Sequence, residues 1–326
     1  MKAIIVKEPG GVENLLLAEY KQPELLERHV LVEVRAAGVN RADILQRKGK
    51  YPPPPGASEL LGLEIAGVVA AVGENCKRWK VGDEVMGLLP GGGYAEVATI
   101  HEDMAMAKPA HLSFEEAAGI PEAFLTAYQA LVWLGKISQN EKVLVHAGAS
   151  GVGSAATQLA KSFQAEVFVT ASAPKHEFCR KHGADHTIDY KTEKFEERVL
   201  ELTGKKGVDV IVDFIGGPYF SANINSLAVD GRLVLLALMG SGAPAEIDMR
   251  KMIGKRLTVA GSTLRSRSLD YQIALTRDFY SYAAPLFDSR VLKPAIDRVF
   301  DWSQAGDAHT YMEENRNSGK IILKIS

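Results

Sequence analysis

A glycine-rich segment in the middle of the chain has residue types that bind phosphate. It reads His-Ala-Gly-Ala-Ser-Gly-Val-Gly over residues 146–153. Glycine lets the backbone approach a pyrophosphate, whose charge then meets the free N–H groups at a helix N-terminus. The spacing alone is a weak signal, and a plain strand-to-helix turn is the alternative. Its place after a β-branched run and before an alanine-rich one favours dinucleotide binding. The candidate phosphate-binding residues are Gly148, Ser150, Gly151 and Val152.

The end of the next predicted strand indicates which dinucleotide would bind. Sites for NAD commonly carry an acidic residue about 20 residues beyond the turn, where it accepts hydrogen bonds from the ribose. This chain has Ser172 and Lys175 there and no acid, so a 2′-phosphate is favoured and the expected cofactor is NADPH. A solvated lysine in a first helical turn is the alternative for Lys175. Tyr190, after the third strand, could flank the adenosine or simply pack.

The surrounding elements predict an α/β protein with two domains. Its 326 residues suffice for about two domains at ~150 residues each. Residues 1–122 read as short strands separated by glycine and proline without helical periodicity, which predicts a β-barrel-like domain. Residues 123–266 alternate apolar strands with helices, as in a doubly wound parallel sheet of the Rossmann type. Residues 267–326 break this alternation, and we expect them to fold back onto the first domain.

Composition excludes several classes of protein. The chain has 38 basic and 40 acidic residues, so it lacks the basic excess that drives binding to nucleic acid or acidic membranes. Its longest apolar run near the C-terminal end spans residues 233–239, whereas a membrane-spanning helix needs ~20 residues. Cys76 and Cys179 are the only cysteines, which rules out a disulfide framework. We therefore expect a soluble protein of the cytoplasm.

The sequence resembles the medium-chain dehydrogenase/reductase superfamily over its full length. The motifs that carry this resemblance are residues 37–43 (AGVNRAD), 61–67 (LGLEIAG), 81–85 (VGDEV) and the turn at Gly148. Zinc alcohol dehydrogenases of the superfamily have a cysteine where this chain has Asn40 and a histidine where it has Leu63. Neither residue is a zinc ligand, and four cysteines for a structural zinc are lacking, so no metal is expected.

The match is closer still to the zinc-free quinone oxidoreductases. It rests on residues 38–47 (GVNRADILQR), 49–52 (GKYP), 120–127 (IPEAFLTA) and 214–217 (FIGG). The combination looks like the NADPH quinone oxidoreductase branch that a tumour suppressor induces in animals, and its bacterial relatives. The resemblance implies a GroES-like catalytic domain beside the Rossmann domain. It also implies a homodimer formed through the fifth and sixth strands.

The resemblance also assigns roles to individual residues. It places Asn40 and Tyr51 beside the nicotinamide, where they could donate hydrogen bonds to the acceptor oxygen, and Tyr51 could deliver a proton. A loop aromatic covering the barrel is the alternative for Tyr51, and a helix cap is the alternative for Thr126. The further positions that it places at the cofactor are Thr126, Phe214, Ile215, Gly216, Leu238, Met239, Gly240, Leu264, Arg265 and Asn317, together with Asn40.

Three functions remain open from the sequence. The first is reduction of small quinones by hydride transfer from NADPH, because without zinc the acceptor must already be electron-poor. The second is reduction of alkenes conjugated to a carbonyl, as in polyketide enoyl-reductase modules. The third is a non-catalytic NADPH-binding protein, which lens crystallins of this family illustrate. The expected small-molecule partner is a quinone or another conjugated carbonyl compound.

Overall fold

The first part of the chain forms mainly antiparallel strands. In the computed structural model, which describes residues 1–240, 242 and 244–325, these strands alternate buried and exposed side chains where one face is covered. The elements are β1 Lys2–Val6, β2 Leu15–Glu19, β3 His29–Val39, α1 Arg41–Arg47, β4 Glu64–Val72, β5 Glu84–Leu88, β6 Val97–His101, β7 Ala105–Ala107, α2 Phe114–Ala117 and α3 Pro121–Tyr128, which a π-helical stretch Gln129–Leu134 follows.

The middle of the chain alternates strands and helices, as the sequence predicted. These elements are β8 Lys142–Val145, α4 Gly151–Ser162, β9 Glu166–Ala171, α5 His176–Lys181, β10 His186–Asp189, α6 Phe195–Leu202, β11 Val208–Asp213, α7 Gly217–Ser226, β12 Leu227–Leu235, α8 Met249–Gly254 and β13 Thr258–Gly261. The strands are parallel, in the order β10-β9-β8-β11-β12-β13. Fully buried Leu144, Phe168 and Ile211 belong to the core on one face of this sheet.

The C-terminal part returns to the first sheet. It consists of α9 Leu269–Asp288, β14 Ile296–Asp301, α10 Ala305–Glu313 and β15 Lys320–Lys324. Strand β15 pairs antiparallel with β3, and the sheet order is β14-β15-β3-β4-β5-β7, with β6 also paired to β3. The tail therefore folds back onto the N-terminal strands, as expected. The fold is an α/β fold that combines a GroES-like domain with a Rossmann-type parallel sheet.

The chain divides into two units. One consists of Met1–Leu125 with Arg265–Ser326, and the other of Thr126–Leu264. Helix α3 spans the boundary between them along the chain. Among the described residues, no helix combines the length and the apolar character that crossing a bilayer would require.

One sequence expectation about local structure was wrong. The first 120 residues do contain helices, such as α1, at whose start the N–H of Asn40 donates to Oδ2 of Asp43 at 2.8 Å. That helix has only seven residues, too few for its periodicity to stand out. Strand β12 ends at Leu235, partway through the apolar run of residues 233–239. Beyond Leu235 the chain leaves the strand, and the N–H of Met239 donates a hydrogen bond to Phe214 O.

Candidate functional site

The glycine-rich turn is shaped by close contacts that exclude side chains. A Cβ added at Gly148 would lie 2.6 Å from Cβ of Val169, and one at Gly153 would lie 2.3 Å from the carbonyl oxygen of Ala147. Ser150 caps α4 by accepting a hydrogen bond from the N–H of Gly153, at 3.0 Å. The first N–H groups of a helix have no carbonyl partner within it, so the start of α4 at Gly151 and Val152 can bind an anion.

A buried polar network lies at the base of this turn. The His146 ring is fully buried, with Nε2 2.7 Å from Oδ1 of Asn223 and Nδ1 3.0 Å from the Thr170 hydroxyl. Because an amide oxygen only accepts, Nε2 carries the proton. Burial lowers the pKa of His146, which keeps the ring neutral. These contacts give His146 a structural role at the base of the turn.

The same network holds the turn that follows β11. The Asn223 amide donates to Oδ2 of Asp213, at 3.0 Å, and Oδ1 of Asp213 accepts from the N–H of Ile215, at 2.6 Å. Gly216 has a φ of +80°, where a side chain would be strained and would meet Leu238. The sequence analysis did not single out Asp213 or Asn223, because their partners are separated along the chain.

Two of the segments predicted to contact the cofactor lie side by side. The N–H of Met239 donates to Phe214 O, and the N–H of Gly240 donates to Ile215 O, both at 2.9 Å. The side chain of Phe214 is buried, whereas Leu238 and Met239 are 62% and 49% exposed. The structure therefore brings the ends of β11 and β12 together and leaves an apolar surface beside them.

Ser172 and Lys175 occupy one turn at the end of β9. The N–H of Lys175 donates to Ser172 O at 2.9 Å, and its side chain is half-buried. Strand β10 runs parallel beside β9, with Asp189 opposite Ala171, so Tyr190 and Ser172 leave adjacent strands at the same edge. Tyr190 is 48% exposed. The pairing of β9 with β10 therefore places Ser172, Lys175 and Tyr190 beyond the same end of two adjacent strands.

The other predicted cofactor positions are spread over both units. Thr126 lies in α3, and Leu264 is a buried residue that follows β13. Arg265 and Asn317 belong to the unit that contains the N-terminal strands. The Asn317 amide donates to Gly319 O at 2.8 Å, in the turn before β15. Their proposed contacts with a cofactor remain predictions.

Asn40 belongs to a buried charge cluster. Its Nδ2 donates to Oε1 of Glu64, at 2.9 Å, and more weakly to Gly38 O, at 3.4 Å. Its Oδ1 accepts from Nζ of Lys320, at 2.8 Å, and Lys320 also contacts Oε1 of Glu64. Glu64 is fully buried and Lys320 is 4% exposed. Lys320, 280 residues away in sequence, therefore fixes which way the Asn40 amide points.

This cluster does not fit a catalytic zinc. Zinc requires thiolate, imidazole or carboxylate ligands, whereas Leu63 is apolar and the Asn40 amide is a weak donor held by neighbours. The ammonium of Lys320 already neutralises Glu64 at this position. Among the described residues, no group of three or more His, Cys, Asp or Glu side chains is arranged to hold a metal ion.

A hydrogen-bonded chain extends from Asp43 beneath Asn40. The carboxylate of Asp43 accepts from the N–H of Asn40, at 2.8 Å, and from the Tyr94 hydroxyl, at 3.3 Å. The Tyr94 hydroxyl is 3.3 Å from Nε2 of His309, and Nδ1 of His309 is 3.4 Å from Arg47. Burial raises the pKa of Asp43 to about 6 and lowers that of His309 to about 3. An Asn followed three residues later by an Asp signals a capped helix, but no local pattern indicated the distant partners Tyr94 and His309.

Tyr51 lies against a positively charged side chain. The Arg265 guanidinium is 5.3 Å from the centre of the Tyr51 ring, within the range of a cation–π contact. Burial raises the pKa of Tyr51, with a smaller raising effect from Glu122 and an opposing one from Arg265. The phenol is therefore protonated at neutral pH and can donate a hydrogen bond or a proton.

Two protein families match the chain by sequence. Residues 27–110 match the alcohol dehydrogenase GroES-like domain, and residues 151–278 match the zinc-binding dehydrogenase family. The chain is 31% identical to the quinone oxidoreductase of Lama guanicoe over 332 residues, which cover 100% of this chain and 98% of that protein.

Solved structures with the same fold include a cofactor complex. Mycobacterial Rv1454c, solved in complex with NADPH, is 31% identical, with a TM-score of 0.86 and coverage of 99% of this chain and 100% of that one. The CurK enoyl reductase is also 31% identical, with a TM-score of 0.88 and coverage of 100% of this chain and 99% of that one.

Proposed function

Because the chain belongs to the medium-chain dehydrogenase/reductase family of oxidoreductases, we propose that it is an NADPH-dependent quinone oxidoreductase that acts without a metal. The observation that carries this proposal is the similarity to a quinone oxidoreductase along nearly the whole of both chains. The donor set around Asn40 supports independence from zinc, since the Glu64 carboxylate is already paired with the Lys320 ammonium and Asn40 offers only an amide.

The cofactor half of the proposal rests on the Rossmann-type sheet. When bound, NADPH supplies a hydride to an electron-poor acceptor. Gly148 lets the turn before α4 pack directly on Val169, which any side chain there would prevent. Ser172 and Lys175, held in one turn, offer a hydroxyl and a positive charge to a 2′-phosphate. NADPH complexed with the similar protein Rv1454c also supports this choice of cofactor.

The acceptor half rests on Asn40 and Tyr51. The contact between the Asn40 amide and Gly38 O is long and weak, so an acceptor oxygen can take the place of Gly38 O without the amide turning. Tyr51, protonated at neutral pH, donates to the same oxygen as negative charge develops on it. Lys320 and Glu64 act as positioning residues that hold the Asn40 amide in one orientation.

Reduction of enones or enoyl thioesters is the second candidate. The similarity to the CurK enoyl reductase specifically favours it. Steady-state kinetics with NADPH should compare an ortho-quinone with an α,β-unsaturated ketone. We expect the quinone to have the higher kcat/KM. A preference of about tenfold or more for the ketone, ~1.4 kcal/mol of transition-state discrimination, would reject the quinone assignment in favour of the alkene.

Binding without catalysis is the remaining alternative. Isothermal titration with NADPH measures binding without requiring turnover. Saturable binding with no reduction of either acceptor would identify a non-catalytic NADPH-binding protein, and no binding at all would reject the whole proposal. Elemental analysis of active protein tests independence from zinc, and we expect no stoichiometric metal. We further propose a homodimer that operates in the cytoplasm.

A further inference from the structure

Arg265 has an unsatisfied guanidinium group in a buried position. The side chain is 8% exposed, and its Nε donates to Pro90 O at 2.8 Å. Neither Nη1 nor Nη2 has a hydrogen-bond partner among the residues that the structure describes. Burying a cation without partners is costly, and buried polar groups in folded proteins are nearly always satisfied. An arginine left in this state has the donors for an anionic ligand.

The group that lies over the Arg265 guanidinium accepts no hydrogen bond from it. The guanidinium carbon is 5.3 Å from the centre of the Tyr51 ring, and neither Nη1 nor Nη2 has a hydrogen-bond partner among the described residues. Gly91, with a φ of +156°, follows Pro90, and a Cβ there would lie 3.4 Å from Nη2. Glycine at this position thus lets the backbone pack close to that nitrogen with no side chain between them. Negative charge at Asp43 and Glu122 helps the guanidinium to stay ionised, although burial lowers its pKa.

We propose that Arg265 belongs to the acceptor site, where its Nη groups bind the oxygen on which negative charge develops. This inference rests on the proposed function, and it assigns Arg265 to the acceptor rather than to the cofactor. Transfer of a hydride to a conjugated carbonyl compound would break the C–H bond of the donor, form the new bond with that electron pair, and leave the displaced π-electron pair on the carbonyl oxygen. Arg265 stabilises that oxyanion, and Tyr51, next to it, donates its proton to the oxygen and is reprotonated from water.

The proposal predicts which ligands bind tightly. A phenolate or enolate oxygen has the charge of the intermediate, and the planar fork of two free Nη groups suits it better than a neutral carbonyl. The site should therefore favour anionic oxygens over their protonated forms. A residue that contacts only the cofactor would show no such preference for an aromatic ligand.

A binding experiment with 4-nitrophenol tests this without turnover. Its phenolate absorbs visible light and its neutral form does not, so titration of the complex with NADP⁺ reports the pKa of the bound dye. We expect the protein to lower that pKa. We expect Arg265→Met to abolish the shift and to weaken phenolate binding about tenfold or more, with little effect on the neutral phenol. Arg265→Lys should retain part of the shift, because it keeps the charge and loses the fork.

Arg267→Met is the matched control. Arg267 lies two residues away, is exposed, and stacks on Tyr271 at 4.6 Å, so this change removes the same group from a similar contact. It should leave the dye titration unchanged. In Arg265→Met, kcat/KM for the acceptor should fall about 100-fold while Kd for NADPH changes less than about twofold. The melting temperature should not decrease, because an unpaired buried charge has been removed.

The outcomes separate this inference from the proposed function. An unchanged dye titration in Arg265→Met would overturn the assignment to the acceptor site. A parallel loss of NADPH affinity and acceptor kinetics would place Arg265 at the cofactor instead. If the protein reduces no acceptor but still lowers the pKa of 4-nitrophenol through Arg265, the anion site stands and the proposed quinone reduction fails.

Discussion

Lys175 is the residue with the clearest consequence for the choice of cofactor. Its side chain is half-buried in the turn with Ser172, so a charge placed there acts on a nearby ligand with limited screening. We expect Lys175→Glu to raise KM for NADPH at least about tenfold, ~1.4 kcal/mol, with a much smaller effect on NADH. Lys181→Glu, an exposed change of the same charge on α5, is the control. Equal effects on both dinucleotides would contradict recognition of the 2′-phosphate.

Asp43 should give the folding stability a defined pH dependence. Burial raises the pKa of this carboxyl from 3.8 to about 6. Because the folded-state pKa is above the unfolded one, its contribution is complete below pH 4 and is lost as the pH rises through 6. The unfolding free energy of the wild type, measured relative to Asp43→Asn, should therefore fall by up to about 3 kcal/mol between pH 4 and 7. The half-buried Asp83→Asn serves as the comparison, and a difference that is constant with pH would refute the prediction.

Contacts between residues close in sequence could be predicted, whereas contacts between residues far apart in sequence could not. Ser172 with Lys175 and Gly148 with Gly153 are local patterns whose geometry follows from a strand end or a helix start. The contact of Asn40 with Lys320 depends on β15 pairing with β3, which no local pattern specifies. The resemblance identified Asn40 as a candidate, but it gave no indication that Lys320 orients the Asn40 amide.

At the level of elements, the strand–turn–helix unit of β8 and α4 depends on the absence of a side chain at Gly148. Gly148→Ala would press a methyl group against Val169, a stiff β-branched residue of β9. We expect a loss of about 1–3 kcal/mol in unfolding free energy and weaker NADPH binding, by about tenfold or more, because the turn must shift. Calorimetry and fluorescence titration measure the two effects.

Gly254→Ala is the control for this substitution. Gly254 ends α8 in the same unit, and a Cβ there would meet no atom within 4 Å. Its unfolding free energy should stay within about 0.5 kcal/mol of the wild type, with unchanged NADPH binding. If Gly148→Ala behaves in the same way, the turn does not need close packing and its role in cofactor binding loses its structural support.

The sequence predicted the parallel strands better than the short elements. Strands such as β11 are buried at nearly every position because both faces of their sheet are covered. Strand β12 begins at Leu227, although Asp230 and Gly231 within it read as a turn. Asp230 has a φ of +64°, so the turn-like residues do bend the backbone and the strand continues around them.

At the scale of the whole molecule, the combination of the two folds followed from the resemblance rather than from periodicity. Alternation alone predicts a parallel sheet over residues 123–266. It does not predict that β15, at the end of the chain, pairs with β3 near its beginning. The loss of strand–helix alternation after residue 266 indicated only that the chain leaves the parallel sheet. The resemblance indicated that it rejoins the N-terminal domain.

The proposed homodimer depends on β13, which ends the parallel sheet in the order that the described residues form. Exposed Ile253 precedes this strand at 75% exposure, and Thr258 begins it. An edge strand with apolar neighbours pairs readily with a second copy, and added lysines oppose such pairing. We expect light scattering to show a dimer for the wild type and half that mass for Ile253→Lys/Thr258→Lys. Val299→Lys, on edge strand β14 of the other sheet, should remain dimeric. Dissociation by the β14 change, with the β13 variant still dimeric, would place the interface on the GroES-like unit instead.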